Sequence, residues 1–190
     1  MRTRAAFLYK FIQKPKAIGS VVPSSSFLTR KMLANLPWNK IETLVELGAG
    51  TGVFTEYITE NKKQSCEIFV IEQDLDMREA LQAQYPTYHF GTRAEKLDWL
   101  LQRDDIPQVD CIVSGLPFAA FSESLRDRIM LAVTHSLKPG GIFVAFQYSL
   151  QMRKTLKKHF DEVVIGFVPL NMPPAFVYYC KNKKGEPRQE

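Results

Sequence analysis

No acidic residue precedes Glu42 in this chain of 190 residues. The first 41 residues carry Arg2, Arg4, Lys10, Lys14, Lys16, Arg30, Lys31 and Lys40, a net charge of +8, within an overall net charge of +5. The rest of the chain is therefore slightly acidic. Such asymmetry points to an anionic partner (a membrane surface, nucleic acid or an acidic substrate) or to a solvated basic segment. Cysteine is scarce. Cys66, Cys111 and Cys180 are odd in number, widely spaced and form no CxxC, which excludes a disulfide framework and a cysteine zinc site and fits a reducing cytosol. His89, His135 and His159 show no ligand spacing, so no metal is expected. Long apolar runs are missing too. Stretches such as Ile142–Phe146 fall far short of the ~20 residues of a membrane-spanning helix. The N-terminus has arginines but no small-residue cleavage site after an apolar core, so it does not read as a signal peptide. Repeats and low-complexity tracts are absent. What remains, 45% hydrophobic and 24% charged, is ordinary for one globular domain.

From residue 43 onward, short β-branched runs alternate with helical patterns. Strands are expected at Thr43–Leu47, Glu67–Ile71, Tyr88–Phe90, Asp110–Val113, Ile142–Gln147, Val163–Val168 and Phe176–Cys180. Helices are expected at Phe54–Lys62, Leu75–Gln84 (ended by Pro86), Ala94–Leu101, Ser122–Ser136 and Leu150–His159. Ser122 can cap its helix, and Pro139-Gly140-Gly141 reads as its stop. The alternation predicts an α/β fold: a seven-stranded, mostly parallel sheet with helices on both faces. The last two strands are linked through Asn171-Met172-Pro173-Pro174 with no helix between them. They should pair as a hairpin, giving one antiparallel edge strand. Ahead of the sheet, Ser24 or Ser25 can cap a helix over Phe27–Asn35 that ends near Pro37. Thr3–Gln13 has Phe7, Leu8, Phe11 and Ile12 along one helical side and stops at Pro15. This divides the chain into a basic amphipathic helix and lid segment (1–23), the α/β domain (24–181) and a tail expected to be disordered (182–190).

The strongest local signal is Glu46-Leu47-Gly48-Ala49-Gly50-Thr51-Gly52, directly after the first strand and opening a helix. Glycines there permit a tight turn and close approach of a ligand, and the helix N-terminus offers N–H groups. Glu72, with Gln73 beside it, closes the second strand, where a carboxylate can accept both ribose hydroxyls of a nucleoside. Dinucleotide binding favours GxGxxG. Here the spacing is GxGxG, with the acid Glu46 two residues ahead, and no GK[ST] follows to make a phosphate loop. This combination resembles the cofactor loop of class I S-adenosylmethionine-dependent methyltransferases. The resemblance implies a Rossmann-like fold, with S-adenosylmethionine held by Glu46, Gly48, Ala49, Gly50, Gly52, Glu72 and Gln73. Gly91-Thr92-Arg93-Ala94 falls where that family often carries an acid near the adenine. None stands here, which leaves Arg93, Ala94 or backbone for the contact, or a plain turn.

After the fourth strand comes Ser114-Gly115-Leu116-Pro117-Phe118. It resembles the acceptor loop of amino-methylating members, with Ser114 in place of their Asn or Asp. The resemblance implies that Ser114, Gly115, Leu116 and Pro117 orient an amine and line the cofactor, and that Phe118 stacks on the acceptor. A proline turn with Phe118 packed inward is the alternative. Tyr148, at the end of the fifth strand, faces the same rim. Its phenol can bond an amine and its ring can hold a methylated ammonium by cation–π attraction, or it can simply pack.

Residues 7–26, and above all Gly19-Ser20-Val21-x-Pro23-Ser24-Ser25, resemble the entry segment of bacterial phospholipid N-methyltransferases, as do Ser114–Phe118 and Pro173-Pro174-Ala175-Phe176-Val177. The match runs over roughly residues 5–181. It implies a cytoplasmic enzyme, peripheral on the inner face of the membrane, that methylates the ethanolamine head group of phosphatidylethanolamine on an anionic surface. Phe7, Lys10, Phe11, Lys14, Lys16, Gly19 and Ser20 would meet lipid or close over the cofactor. A basic helix with an apolar side is an interfacial pattern in its own right, and also that of a lid. Arg153, Lys154, Lys157 and Lys158 form a second basic face, suited to lipid phosphates or to solvent. The competing readings are an rRNA adenine dimethyltransferase-like enzyme, disfavoured by Ser114 and by the lack of length for an RNA-binding domain, and a small-molecule methyltransferase. The oligomeric state is not legible.

Overall fold

The computed structural model describes residues 24–182. Its elements in chain order are α1 (Ser24–Leu33), β1 (Thr43–Leu47), α2 (Val53–Asn61), β2 (Glu67–Ile71), α3 (Leu75–Gln84), β3 (His89–Gly91), α4 (Leu97–Arg103), β4 (Val109–Ser114), α5 (Glu123–Ser136), β5 (Leu137–Gln147), α6 (Met152–His159), β6 (Glu162–Val168) and β7 (Ala175–Lys181). Single 3-10 turns lie at Trp38–Lys40, Ala94–Lys96 and Phe118–Ala120. The seven strands form one sheet in the order β3-β2-β1-β4-β5-β7-β6.

The sheet is buried on both faces, which is why β1 reads as an almost continuous apolar run rather than an alternating one. Alternate residues serve opposite sides. Val45, Leu47, Phe69 and Ile112 pack with α4, α5 and α6. Leu44, Ile68, Val70 and Val113 pack with α1, α2 and α3. The α/β sandwich expected from the sequence is thus the observed one. Local signals set its helix starts: the Ser122 side chain accepts from Leu125 N–H (3.3 Å) and Asp74 Oδ1 from Met77 N–H (3.1 Å).

Three details differ from the sequence expectation. The antiparallel strand is not at the edge: β7 pairs antiparallel with both β5 and β6 and lies between them. The strand with Val177, Tyr178 and Cys180 fully buried takes the inner place, while β6 exposes Val164 and Phe167. Second, Pro139-Gly140-Gly141 is not a break before a strand. Leu137 already pairs with Val109, and the ladder resumes at Cys111–Ile142, so residues 138–141 bulge out, with Gly140 at φ +76°. Third, α1 includes Ser24 and Ser25 and ends at Leu33, so neither serine precedes the helix as a cap. The helix expected at Thr3–Gln13, the lid segment and residues 183–190 lie outside the described residues.

Asp110 ties the start of the central strands together. Its carboxylate accepts from Glu42 N–H (2.9 Å), Thr43 N–H (3.0 Å) and Lys138 Nζ (2.7 Å). Burial raises its pKa, but these donors outweigh burial and hold it below the ordinary value. Asp110→Ala should lower stability by roughly 1.5–3 kcal/mol, the range for hydrogen bonds to a charged group. Denaturant unfolding would show an unchanged midpoint if the carboxylate does not hold the strands.

Candidate active site

The direction of strand order reverses between β1 and β4: β1 leads outward to β2, β4 to β5. Ligands bind in the crevice that such a switch opens at the carboxyl ends of the strands. The glycine loop and the Ser114–Phe118 loop lie side by side there. Gly48 N–H donates to Ile71 O (2.7 Å) and Gly115 N–H to Leu47 O (2.8 Å), extending the ladders into the loops. Gly48 takes φ +74°, and a Cβ on it would sit 2.8 Å from Leu116 Cδ2. A Cβ on Gly115 would sit 2.7 Å from the Gly48 carbonyl oxygen. Both positions need glycine, one for its dihedral and both for space.

A cleft of about 280 Å³ opens over the two loops. It brings together Gly48, Gly50, Glu72, Gln73, Arg93, Ala94, Gly115, Leu116 and Pro117, which the sequence spreads over 70 positions. Ala49 and Gly52 do not line it. Ala49 is buried beneath the loop, and Gly52 starts α2 at φ +85° against Leu81. Arg93 is paired with Glu95 at 3.0 Å on the rim. Glu72 is 7% exposed and accepts from Gly50 N–H (2.7 Å) on one oxygen and Asp74 N–H (2.9 Å) on the other. Each carboxylate oxygen keeps a second lone pair for a hydroxyl.

Glu46 is fully buried. Its Oε2 accepts from Thr55 Oγ1 (2.7 Å), and its Oε1 has no partner. Burial, reduced by the Thr55 hydrogen bond and reinforced by the Glu72 charge, raises its pKa to about 7. A buried carboxylate oxygen with a vacant acceptor site fits a cationic donor such as an ammonium group. Around Gly50 a Cβ would meet nothing within 4 Å, so a ligand can approach the backbone there. Glu46, Glu72 and the open loop together suit a molecule that carries an ammonium and a ribose.

The second loop differs from the expectation at two residues. The Ser114 side chain is fully buried, and its Oγ accepts from Leu116 N–H at 3.3 Å. It shapes the turn and does not face an acceptor. Phe118 is 1% exposed and packs with the α4–α6 side of the core. The aromatic residue that lines the cleft is Phe121, whose ring lies edge-on to Phe118 at 6.0 Å. The 3-10 turn at Phe118–Ala120 buries the first ring and presents the second. Two residues escaped sequence reasoning. Gln147 is buried at the end of β5 and donates from Nε2 to Leu116 O (3.0 Å), the carbonyl that also accepts from Phe118 N–H (3.0 Å). A polar residue closing an otherwise apolar strand was the available signal. Asn171 is buried and hydrogen-bonds Tyr148.

Tyr148 does not line the cleft. It is partly buried on the α1–α3 side, edge-on to Phe146 at 5.6 Å, and Phe146 in turn meets Phe54 at 6.0 Å. Phe54 is the ring nearest Gly115. Burial raises the Tyr148 phenol above its ordinary pKa, against the Asn171 hydrogen bond, so it stays protonated at neutral pH. On α6, Arg153, Lys154, Lys157 and Lys158 are exposed while Met152, Leu156 and His159 turn inward. Phe7, Lys10, Phe11, Lys14, Lys16, Gly19 and Ser20 lie outside the described residues. Among the described residues, no His, Cys, Asp and Glu side chains cluster to hold a metal.

A family model described as the methyltransferase small domain matches residues 23–166. The chain belongs to that methyltransferase family. It is 35% identical over 188 residues to an ornithine lipid N-methyltransferase of Singulisphaera acidiphila, covering 94% of this chain and 95% of that one. It is 29% identical over 113 residues to a ribosomal RNA small subunit methyltransferase A of Maridesulfovibrio salexigens, covering 59% of this chain and 42% of that one. A 1,6-didemethyltoxoflavin-N1-methyltransferase of Burkholderia thailandensis, solved with S-adenosylhomocysteine, superposes with a TM-score of 0.70 at 11% identity, over 95% of this chain and 87% of that one. This methyltransferase uses S-adenosylmethionine, and the residues of its cleft fit that molecule.

The Glu46 carboxyl makes the stability of the methyltransferase pH-sensitive. The folded state holds its proton up to about pH 7, whereas an ordinary value is 4.5. Stability from the neutral form is full below pH 4.5 and is lost as pH rises through 7. Glu46→Gln should abolish that loss, of order 3 kcal/mol, and weaken cofactor binding. Parallel wild-type and variant melting temperatures from pH 5 to pH 8 would contradict the assignment.

Proposed function

We propose that the enzyme transfers a methyl group from S-adenosylmethionine to the primary amine of a membrane-lipid head group, with phosphatidylethanolamine as the substrate. The observation that carries this reading is the 35% identity, over 94% of the chain, to a protein named for N-methylation of an ornithine lipid. Ornithine and ethanolamine head groups share a primary amine, so the reacting group is common to both lipids. The similarity to the ribosomal RNA enzyme spans 42% of that protein's length and supports the shared catalytic domain. The enzyme is proposed to work in the cytoplasm, peripherally on the inner face of the membrane. Among the described residues no helix is long and apolar enough to cross a bilayer, and the basic N-terminal residues Lys10, Lys14 and Lys16 suit an anionic surface.

The bound cofactor supplies an electrophilic methyl carbon. The chain's contribution is alignment, which dominates such a reaction. Glu46 would take the cofactor's ammonium on Oε1, Glu72 its ribose, and Gln73, Arg93 and Ala94 its adenine end. Gly115, Leu116 and Pro117 would form the wall between cofactor and amine, held by Ser114 Oγ and Gln147 Nε2 from behind. Phe121 replaces Phe118 as the aromatic residue of this wall. The amine, with an ordinary pKa near ~10.4, must lose its proton before it reacts. Tyr148 stays protonated and packs against Phe146 outside the cleft, so it would act on the amine only through the run of rings that reaches Phe54 beside Gly115.

The test offers labelled cofactor with phosphatidylethanolamine vesicles, ornithine lipid vesicles, rRNA and free amines. Label should enter phosphatidylethanolamine. Label in ornithine lipid alone would keep the lipid-amine chemistry and overturn the head group. Label in rRNA or soluble amines alone would overturn the lipid reading. Tyr148→Phe should retain most turnover, and Tyr148→Ala should lower turnover severalfold with cofactor affinity preserved, because the Phe146 and Phe54 rings behind Gly115 lose their packing partner.

A further inference from the structure

The chain carries no charged side chain from Val163 to Cys180, and the hairpin it forms there ends in a loop that projects two apolar residues. Leu170 is 70% exposed and Met172 is 75% exposed, more than any other large apolar residues of the core domain. Phe167, one turn of the hairpin lower, is also exposed. The place of this tip follows from the sheet. β6 is antiparallel to β7, and β7 to β5, so β6 runs in the direction of β1, β4 and β5. Its carboxyl end, and the 169–174 loop that follows it, therefore stand on the same rim as the cofactor loop and the Ser114–Phe118 loop.

The tip carries few free backbone donors. Asn171, between the two exposed residues, turns inward. Its Nδ2 donates to Pro173 O (2.6 Å), its N–H to Val168 O (3.3 Å), and its side chain hydrogen-bonds Tyr148. Pro169, Pro173 and Pro174 bring no N–H groups to satisfy. With the Asn171 N–H bonded as well, only the N–H groups of Leu170 and Met172 remain to be desolvated when the tip leaves water. Beside the hairpin, Arg30 and Lys31 are exposed on the last turn of α1, and the Lys31 Cε is the nearest side-chain atom to a Cβ on Gly166. Apolar tips flanked by cations match the two layers of an anionic bilayer surface: acyl chains within and charged head groups at the boundary.

We propose that the 169–174 loop inserts into an anionic lipid surface, with Leu170 and Met172 as its wedge, and seats the rim of the active site on the membrane. The proposal rests on the lipid reading of the function, and it deepens it by assigning a second membrane contact, distinct from the basic N-terminal segment and tied to the site through Asn171 and Tyr148. Burial of two such side chains is an apolar contribution, so the binding it supplies survives high salt, unlike binding by cations alone.

The full-length protein would be sedimented with vesicles of phosphatidylglycerol and phosphatidylcholine, which present no primary-amine phosphatidylethanolamine substrate. Leu170→Ser with Met172→Ser should lower the partition coefficient at least tenfold at 0.5 M salt while calorimetry shows unchanged cofactor binding. In a second variant, Leu170→Trp, fluorescence should shift to the blue on vesicle addition and be quenched by brominated acyl chains. Unchanged partitioning of the folded double variant, or a Leu170→Trp signal indifferent to vesicles, would overturn the wedge. A changed oligomeric state of the double variant with unchanged vesicle binding would also overturn it, and would assign the tip to contact between copies. Failure of the function is read separately: vesicle binding through the tip without methylation of any aminolipid leaves the wedge standing and removes the substrate. Methylation of vesicle lipid at wild-type rate by the double variant does the reverse.

Discussion

The cleft depends on the meeting of two backbones at the switch point, where a Cβ on Gly115 would come within 2.7 Å of the Gly48 carbonyl oxygen. No side chain fits between the loops, so the cofactor loop and the acceptor loop are positioned by each other. β1 and β4 deliver them there through parallel pairing that runs to Leu47–Ser114. Leu116 then lies over Gly48 and forms part of the cleft. A shift of either strand would part the two loops that line the cleft, and proximity is what a methyl transfer demands of its enzyme.

Two carboxylates beneath that contact divide the work by their surroundings. Glu72 is supplied with two backbone N–H donors and retains lone pairs toward the cleft. Glu46 is deprived of solvent, receives one hydroxyl and keeps one oxygen bare. Its charge is unfavourable until a cation arrives. A ligand that brings an ammonium group therefore relieves a cost already present in the fold, and part of its binding energy comes from that relief.

Much of this was legible in the sequence. β1, β2 and α3 fall within the boundaries expected, because an apolar run between turn residues or a Pro86 stop leaves few alternatives. GxGxG with Glu72 pointed to residues that the structure brings together in one cleft at the switch point, since glycine and acid spacing there is set by backbone geometry. The bulge of residues 138–141 was not legible: proline and glycines signal a turn, and only the Lys138–Asp110 pair and the Val109–Leu137 pairing keep the strand going. Nor was the direction of Phe118. Phe118 and Phe121 are both aromatic residues in one short loop, and the choice of which enters the core is made by α5 and by a 3-10 turn that the sequence does not announce.

The acceptor side shows how far the active site depends on groups that never touch a ligand. With Ser114 Oγ turned to Leu116 N–H, the loop has spent its own hydroxyl on its shape. Leu116 O has spent both lone pairs, on Phe118 N–H and on Gln147 Nε2, and Pro117 O accepts from Ala120 N–H. In the proposed reaction an incoming amine would meet a wall whose polar groups are largely satisfied, in contrast to the two-way amide contact of an Asn. Such a wall gives a flat base little to bond. It suits a compact amine on a flexible tether, presented from a surface, whose orientation comes from where the rest of the molecule is anchored. On the proposed reading the burden of recognition would then fall on the rim outside the cleft, in the aromatic residues around Tyr148, the Asn171 loop and the cationic face of α1.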